Sequence, residues 1–175
     1  MTTTAAALSG ARRVPFPVVD EVARHCLQDD EPETVHIEVH LSGRLDPGRL
    51  GAAFARALAR HPRTLMREAP RPWYARRYEW ELTARPDAPP VSVPPPGPDA
   101  LEAARVRALA HAPALTSAPP VRLEAVPHPG TGDTVLFLTV NHTALDGPAC
   151  LRVLATAAQE YGGPDNTPPP ATRPA

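Results

Sequence analysis

The residue pattern that most clearly indicates catalytic chemistry is a histidine followed four positions later by an aspartate and a glycine. It comprises His142, Asp146 and Gly147, and it comes directly after the apolar run at 134–140. A histidine can accept a proton at neutral pH, and the end of a buried strand holds a side chain rigidly at the rim of a sheet. The pattern makes His142 a candidate general base, whereas the plainer interpretation of such a histidine is a structural one.

The other chemistry-bearing residues have simpler interpretations. His36, Glu38 and His40 alternate along one face of a predicted strand, a spacing that can bind zinc with one further ligand. No closing ligand is evident, so a solvated strand face is favoured and no metal site is predicted. Cys26 and Cys150 are too few for a disulfide framework and are interpreted as small buried apolar residues. Cys150 lies one helical turn after the aspartate, so lining the site is its alternative role.

The composition excludes several function classes. The chain has 175 residues, of which 42% are hydrophobic and 21% charged, as expected for one globular domain. Its net charge is −1, which predicts neither a nucleic-acid partner nor binding to a membrane surface. All 18 basic residues are arginine, so lysine Schiff-base chemistry is excluded within the chain. G-x-S-x-G, Walker A, G-x-G-x-x-G and C-x-x-C motifs are absent.

The chain divides into a patterned centre and two unpatterned ends. We expect a flexible tail at 1–13, one domain at 14–163, and a proline-rich tail or linker at 164–175. No apolar run is long enough to span a bilayer, and the first residues lack the apolar core of a signal peptide. A cytoplasmic location is therefore expected.

Hydrophobic periodicity predicts alternating helices and strands in the central region. Asp46 and Pro47 mark the start of the clearest helix, as its cap and its first residue. The run at 73–82 mixes aromatic and basic residues and is interpreted as an amphipathic strand rather than a nucleic-acid surface. The predicted helices are 18–27, 46–60, 101–109 and 148–161; the predicted strands are 34–41, 65–69, 73–82, 91–93, 121–125 and 134–140. This alternation indicates an α/β domain with helices packed on a mixed β-sheet.

Two segments resemble one known family. Residues 141–147, Asn-His-Thr-Ala-Leu-Asp-Gly, resemble the His-His-x-x-x-Asp-Gly signature of the acyltransferase superfamily that includes chloramphenicol acetyltransferase and the condensation domains of nonribosomal peptide synthetases. Residues 41–62 are similar to the strand, helix and Arg-His segment near the start of condensation domains. The resemblance covers about 14–163. It implies a chloramphenicol-acetyltransferase-like lobe with a mixed β-sheet covered by helices.

The resemblance also implies a reaction. His142 falls on the second signature histidine, the general base that acts on an acceptor hydroxyl or amine. The acceptor attacks an acyl thioester held on a carrier protein or on coenzyme A, and no other cofactor is implied. Asn141 stands where the family has its first histidine, and its amide can still form hydrogen bonds within the loop.

The remaining signature positions have structural roles in the family. Asp146 falls on an aspartate that pairs with an arginine, and Gly147 on a glycine that keeps the loop clear of the substrate channel. The arginine partner follows the Arg-His segment in the family. Arg67 is the first candidate for it here and Arg63 the second.

The chain is shorter than the enzymes of this family, which have two similar lobes. The resemblance implies the first, N-terminal lobe, which is completed by a second lobe, a separately encoded subunit or further copies of the chain. The predicted function is a condensation-type acyltransferase, in natural-product biosynthesis, that needs this second lobe or subunit. The alternative is a non-catalytic single-lobe module that binds a carrier protein or docks onto a synthase.

Overall fold

A computed structural model describes residues 12–26 and 33–163. Its strands are β1 (Arg13–Pro15), β2 (Thr34–Leu41), β3 (Met66–Glu68), β4 (Glu79–Leu82), β5 (Val91–Ser92), β6 (Val121–Pro127) and β7 (Thr134–Asn141). Its α-helices are α1 (Val18–Cys26), α2 (Pro47–Arg60), α3 (Ala100–Ala110) and α4 (Gly147–Gly162). The order of predicted helices and strands is confirmed, with two differences. The strand predicted at 73–82 begins only at Glu79, and Arg13–Pro15 forms a strand within the predicted tail. Leu27, most of the predicted N-terminal tail and residues 164–175 lie outside the described residues.

The main sheet has four strands in the order β2-β7-β6-β5. β7 pairs antiparallel with both neighbours, from Thr34↔Asn141 to Leu41↔Thr134 on one edge and from Val121↔Val140 on the other. β5 adds a parallel pair to β6, so the sheet is mixed, as predicted. All residues of β7 are buried, which confirms its prediction as a central strand.

Helices cover both faces of this sheet. α2 and α4 pack on one face, where Phe54 and Leu58 join the apolar side chains of β6 and β7 in the largest core cluster. Asp46 caps α2 by accepting a hydrogen bond from the Arg49 backbone N–H at 2.6 Å, as the sequence predicts. α3 packs on the other face, where Ala104 contacts a smaller cluster that includes Phe137.

Ion pairs fasten α3 to the sheet. Arg105 donates to both Glu38 carboxylate oxygens, at 2.7 and 3.0 Å, and Arg107 donates to Glu124 at 2.7 Å. The face of β2 with His36, Glu38 and His40 was predicted to be solvated. That prediction is wrong for Glu38, because α3 shields its carboxylate and supplies its arginine partner.

A second, three-stranded sheet has the order β1-β4-β3. Its apolar face is built by Phe16, Met66, Tyr78, Trp80 and Leu115, which we call the aromatic cluster. The strand predicted at 73–82 forms only from Glu79, so its first half is corrected to an exposed loop. Arg13, which fell in the predicted tail, begins β1 and pairs with β4.

Helix α1 leaves its apolar side exposed to solvent. Its valines at 18, 19 and 22 are exposed, and none of its residues is buried. Its polar side chains attach it to the second sheet instead: Asp20 accepts from the Trp80 indole N–H at 2.8 Å, and Arg24 donates to Glu68 at 2.8 Å. Within the described ranges, no helix is long and apolar enough to cross a membrane.

The Glu38–Arg105 pair makes the free energy of unfolding depend on pH. Hydrogen bonds from Arg105 hold the pKa of Glu38 at about 2, well below its ordinary value of about 4.5. A depressed carboxyl pKa contributes stability that is complete above the unfolded-state pKa and is lost as pH falls towards the folded-state pKa. We therefore expect Glu38→Gln to lower the free energy of unfolding at pH 6, and this difference to shrink between about pH 4.5 and 2.

Urea unfolding across this pH range measures that difference. Glu102→Gln is the matched control, because Glu102 is an exposed carboxylate 3.9 Å from the same arginine and its loss has little effect at any pH. If the difference in the free energy of unfolding between Glu38→Gln and the unmodified protein stays constant from pH 6 to 2, the pKa of Glu38 is not lowered by Arg105.

Candidate functional site

The loop with the histidine begins where β7 ends. The His142 backbone N–H donates to the Glu33 carbonyl at 3.1 Å, and the Ala144 N–H donates to the Asn141 carbonyl at 2.9 Å. The first bond ties the loop to the chain entering β2, and the second closes a tight turn. Together they hold His142 at the rim of the main sheet, where the sequence predicts it.

Asn141 holds this loop from inside the protein. Its side chain donates from Nδ2 to the Pro113 carbonyl at 3.2 Å and accepts at Oδ1 from the Thr143 N–H at 3.1 Å. The residue is only 4% exposed, so both bonds lie in a shielded environment where losing one is costly. These are bonds within the loop and to its neighbour, of the kind expected of an asparagine at this position.

The contact of His142 with the loop favours one tautomer of its ring. The exposed imidazole places Nδ1 3.3 Å from the Leu145 carbonyl oxygen. A carbonyl oxygen can only accept a hydrogen bond, so this contact is a hydrogen bond in the tautomer that carries its proton on Nδ1. In that tautomer the lone pair lies on Nε2.

Asp146 connects the loop to α4. It is the N-cap of the helix, and its Oδ1 accepts from the Ala149 backbone N–H at 2.8 Å. Gly147 is the first helical residue, and a Cβ added there would meet no other atom within 4 Å. Contacts among the described residues therefore do not require glycine at this position.

The expected pairing of Arg67 with Asp146 is not formed. Arg67 lies on β3 directly opposite Glu81 of β4, and it donates to that carboxylate at 2.6 Å and to Asp87 at 3.0 Å. This cross-strand pair occupies the guanidinium group in the second sheet. The second candidate, Arg63, lines the same cavity as Asp146, but no ion pair within 4 Å joins them in the described part of the chain.

A cavity of about 510 Å³ lies beside His142. It opens to solvent and is lined by α1, the turn after α2, the histidine loop and α4. Its charged and titratable lining residues are Asp20, Arg60, His61, Arg63, His142, Asp146 and Arg152. Such a cavity, with a few polar groups converging on a candidate base, is the usual form of a small-molecule site.

Sequence reasoning missed the contributions of Asp20 and Arg152 to this cavity. They come from different helices that only tertiary packing brings together, and no local pattern marks them. Thr143 was missed as well: its hydroxyl is buried next to His142 and has no hydrogen-bond partner among the described residues. The Arg-His segment did indicate the region of His61, whose Nε2 lies 2.8 Å from the Thr156 hydroxyl.

Among the described residues, no group of three or more His, Cys, Asp or Glu side chains could hold a metal ion. His40 contacts Glu38 at 2.7 Å, and Arg105 binds the same carboxylate. Glu38 and His40 are therefore part of an ion-pair network with Arg105, whereas the His36 ring stacks on Phe137.

Two known proteins are related to this chain in sequence, whereas no protein-family model matches it. Two uncharacterized proteins of Mycobacterium tuberculosis, one from each of two strains, are each 35% identical to it over 130 residues. The match covers 74% of this chain and 29% of each relative, so the chain spans less than a third of their length.

Solved structures share its fold. The condensation domain of the Monacolin K polyketide synthase MokA matches with a TM-score of 0.72 and 18% identity, over 87% of this chain and 35% of that one. The tallysomycin biosynthesis protein TlmII matches at 0.69 and 19%, over 87% and 38%. The X-domain in complex with OxyB, from teicoplanin biosynthesis, matches at 0.68 and 21%, over 86% and 33%. The chain thus has the fold of condensation domains, and the predicted α/β architecture is confirmed.

Cys150 does not line the cavity but lies in the core, as predicted, whereas the prediction of a buried Cys26 is wrong because Cys26 is exposed at the end of α1. It is 1% exposed, and burial, with a smaller contribution from the charge of Asp146, raises the pKa of its thiol to about 11. At pH 8 only about one such thiol in a thousand is the reactive thiolate. We expect iodoacetamide at this pH to alkylate the exposed Cys26 and to leave Cys150 unmodified in the folded protein.

Peptide mass mapping of the alkylated protein measures this difference. The same reaction in urea, which exposes both thiols, is the control and should label both. If Cys150 in the folded protein is alkylated as fast as Cys26, its thiol is not buried in the core.

Proposed function

We propose that this chain is the base-carrying lobe of a condensation-type acyltransferase, and that His142 is its general base. The observation that carries the proposal is the contact between His142 Nδ1 and the Leu145 carbonyl, at the edge of the cavity. That contact leaves Nε2 free to accept a proton. The fold shared with condensation domains supports the same reaction class.

In the proposed reaction, an acceptor hydroxyl or amine donates its proton to His142 Nε2 as its oxygen or nitrogen attacks the carbonyl carbon of an acyl thioester. The new C–O or C–N bond gives a tetrahedral intermediate whose oxygen carries the negative charge. Its collapse breaks the C–S bond, and the imidazolium returns the proton to the leaving sulfur. The products are an ester or amide and a free thiol, and no covalent enzyme intermediate forms.

The tautomer that this contact favours suits the role. In the other tautomer Nε2 carries a proton and cannot take one from the acceptor, so the contact raises the fraction of rings that are ready to act as the base. The Leu145 carbonyl also stabilises the imidazolium, because its oxygen accepts a stronger hydrogen bond from the charged ring. This stabilisation grows as the proton is transferred, which is the requirement for catalysis rather than ground-state binding.

The acyl donor in this proposal is a thioester of a carrier protein or of coenzyme A. This chain covers only 33–38% of the matched solved structures, so a second lobe or subunit is proposed to complete the channel. Two of those structures are named for tallysomycin and teicoplanin biosynthesis, which supports a role in natural-product biosynthesis.

One observation favours a second candidate function, a non-catalytic module that binds a carrier protein or docks onto a synthase. The exposed valines of α1 form an apolar face at the edge of the cavity, and Val19 lines it. Exposed apolar faces of this kind mark protein contacts. A module of this type binds its partner whether or not His142 is present.

Replacing His142 separates the two functions. We expect His142→Ala in the full-length protein to reduce acyl transfer from a thioester donor by 10²–10⁴-fold, the usual contribution of a general base. Free thiol released in the presence of acceptor measures the rate. His111→Ala is the matched control, because His111 is exposed at the end of α3 and does not line the cavity.

Both variants should keep the unfolding midpoint of the unmodified protein, since both imidazoles are exposed. A His142→Ala protein that keeps the full rate refutes the acyltransferase proposal. A full-length protein that transfers no acyl group yet binds a carrier protein supports the module instead.

A further inference from the structure

The loop between β3 and β4 exposes two large aromatic side chains. Trp73 is 94% exposed and Tyr74 is 70% exposed, whereas Trp80, seven residues later, is 3% exposed. The two rings contact each other edge to face, with centroids 5.8 Å apart. Exposing so much aromatic surface to water is unfavourable, so this pair needs an explanation outside the described fold.

The same loop is basic. Residues 70–78 contain three arginines and no acidic residue, although the whole chain has a net charge of −1. Arg76 and Arg77 are exposed, and neither forms an ion pair within 4 Å among the described residues. The loop therefore presents free positive charge beside its exposed aromatic rings.

Local contacts order this loop in advance. The third arginine, Arg71, donates to the Ala75 carbonyl at 2.6 Å and lies over the Tyr78 ring, 4.0 Å from its centroid. The Ala75 N–H donates to the Pro72 carbonyl at 2.9 Å, which closes a turn around Trp73 and Tyr74. A loop that is already ordered loses less entropy on binding, so its contacts convert more fully into affinity.

The loop adjoins the cavity through the aromatic cluster. Tyr78, at its end, belongs to the aromatic cluster together with Met66, and Met66 lines the cavity. Trp80 of the same cluster donates to Asp20, which lines the cavity as well. A partner seated on the loop is therefore joined to the cavity through one packed cluster.

We propose that loop 70–78 is a docking surface for the carrier protein that delivers the thioester, through carboxylates and an apolar slot on that protein. The choice of partner rests on the proposed function. Tryptophan, tyrosine and arginine are the residues that most often carry binding energy in protein interfaces. The carboxylates complement Arg76 and Arg77, and the slot receives Trp73. The overall negative charge of the chain favours a protein over a nucleic acid.

Two thioester donors test the docking surface in the full-length protein. One is an acyl group on an acidic acyl carrier protein, and the other is the same acyl group on coenzyme A. We expect Trp73→Ala, and separately the double variant Arg76→Gln/Arg77→Gln, to raise KM for the carrier-bound donor about tenfold or more. Their kcat, and their KM for the coenzyme A donor, should be unchanged, because neither change touches the cavity.

The matched control is Arg85→Gln, which removes an exposed arginine outside the loop and the cavity and should change neither KM. An equal rise in KM for both donors, or no rise for either, overturns the docking surface. So does a Trp73→Ala variant that loses affinity for poly(U) RNA but not for the carrier protein.

Binding of the carrier protein without its thioester keeps this test separate from the chemistry. We expect the apo carrier protein to bind the His142→Ala variant as tightly as the unmodified protein, and to bind Trp73→Ala about tenfold more weakly. If His142→Ala binds the carrier protein normally and also transfers the acyl group at the full rate, the proposed base is rejected and the docking surface is kept. Equal binding by Trp73→Ala and the unmodified protein rejects the docking surface but keeps the proposed base.

Discussion

Backbone pairing of β7 along both of its edges is the constraint on which the rest of the site depends. β2 pairs with it from Thr34↔Asn141 onwards, and β6 pairs with it up to Val121↔Val140. A shift of one residue in either register would turn every side chain of β7 to the opposite face of the sheet. Since helices cover both faces, such a shift would break two cores at once. The position of Asn141, and so of His142, is therefore set by the whole sheet.

Arginine is the cation that joins the elements around this sheet. The carboxylate of Glu124 is almost fully shielded and accepts a hydrogen bond from Arg107 at 2.7 Å. The Arg122 guanidinium forms an ion pair with the same carboxylate at 3.0 Å. Glu81 is bound by Arg67 in the second sheet. The planar guanidinium group suits such shielded pairs, because it forms two parallel hydrogen bonds with one carboxylate. Asp146 is used differently: it caps α4, so it fixes the end of the loop that starts at Asn141.

Local signals in the sequence predicted much of the fold. The bounds of β2 and α2 follow from strict alternation and from the Asp46–Pro47 helix start, and both are confirmed. The loop with His142 was found because its residues are consecutive. The residues around it are not consecutive: Asp20 and Arg152 reach the cavity through packing of separate helices.

The wrong predictions have one physical origin: the choice of partner is tertiary. Arg67 was expected to pair with Asp146, but Glu81 lies directly opposite it on the neighbouring strand. Likewise, the aromatic run at 73–82 has the composition of a strand, yet only its second half finds a pairing strand. Helix α1 has a clear apolar stripe that nothing in the described chain covers. Periodicity reports which residues share a face, and it does not report what that face contacts.

In the proposed function, the loop holds His142 with its proton on Nδ1 and its lone pair on Nε2. Nitrogen-15 NMR of the neutral imidazole distinguishes the two tautomers directly, since a protonated and an unprotonated ring nitrogen have well-separated chemical shifts. We predict a protonated Nδ1 and an unprotonated Nε2 for His142, and no such bias for the exposed His111. A His142 ring with its proton on Nε2, or with an even mixture of tautomers, would show that the Leu145 carbonyl does not orient the base.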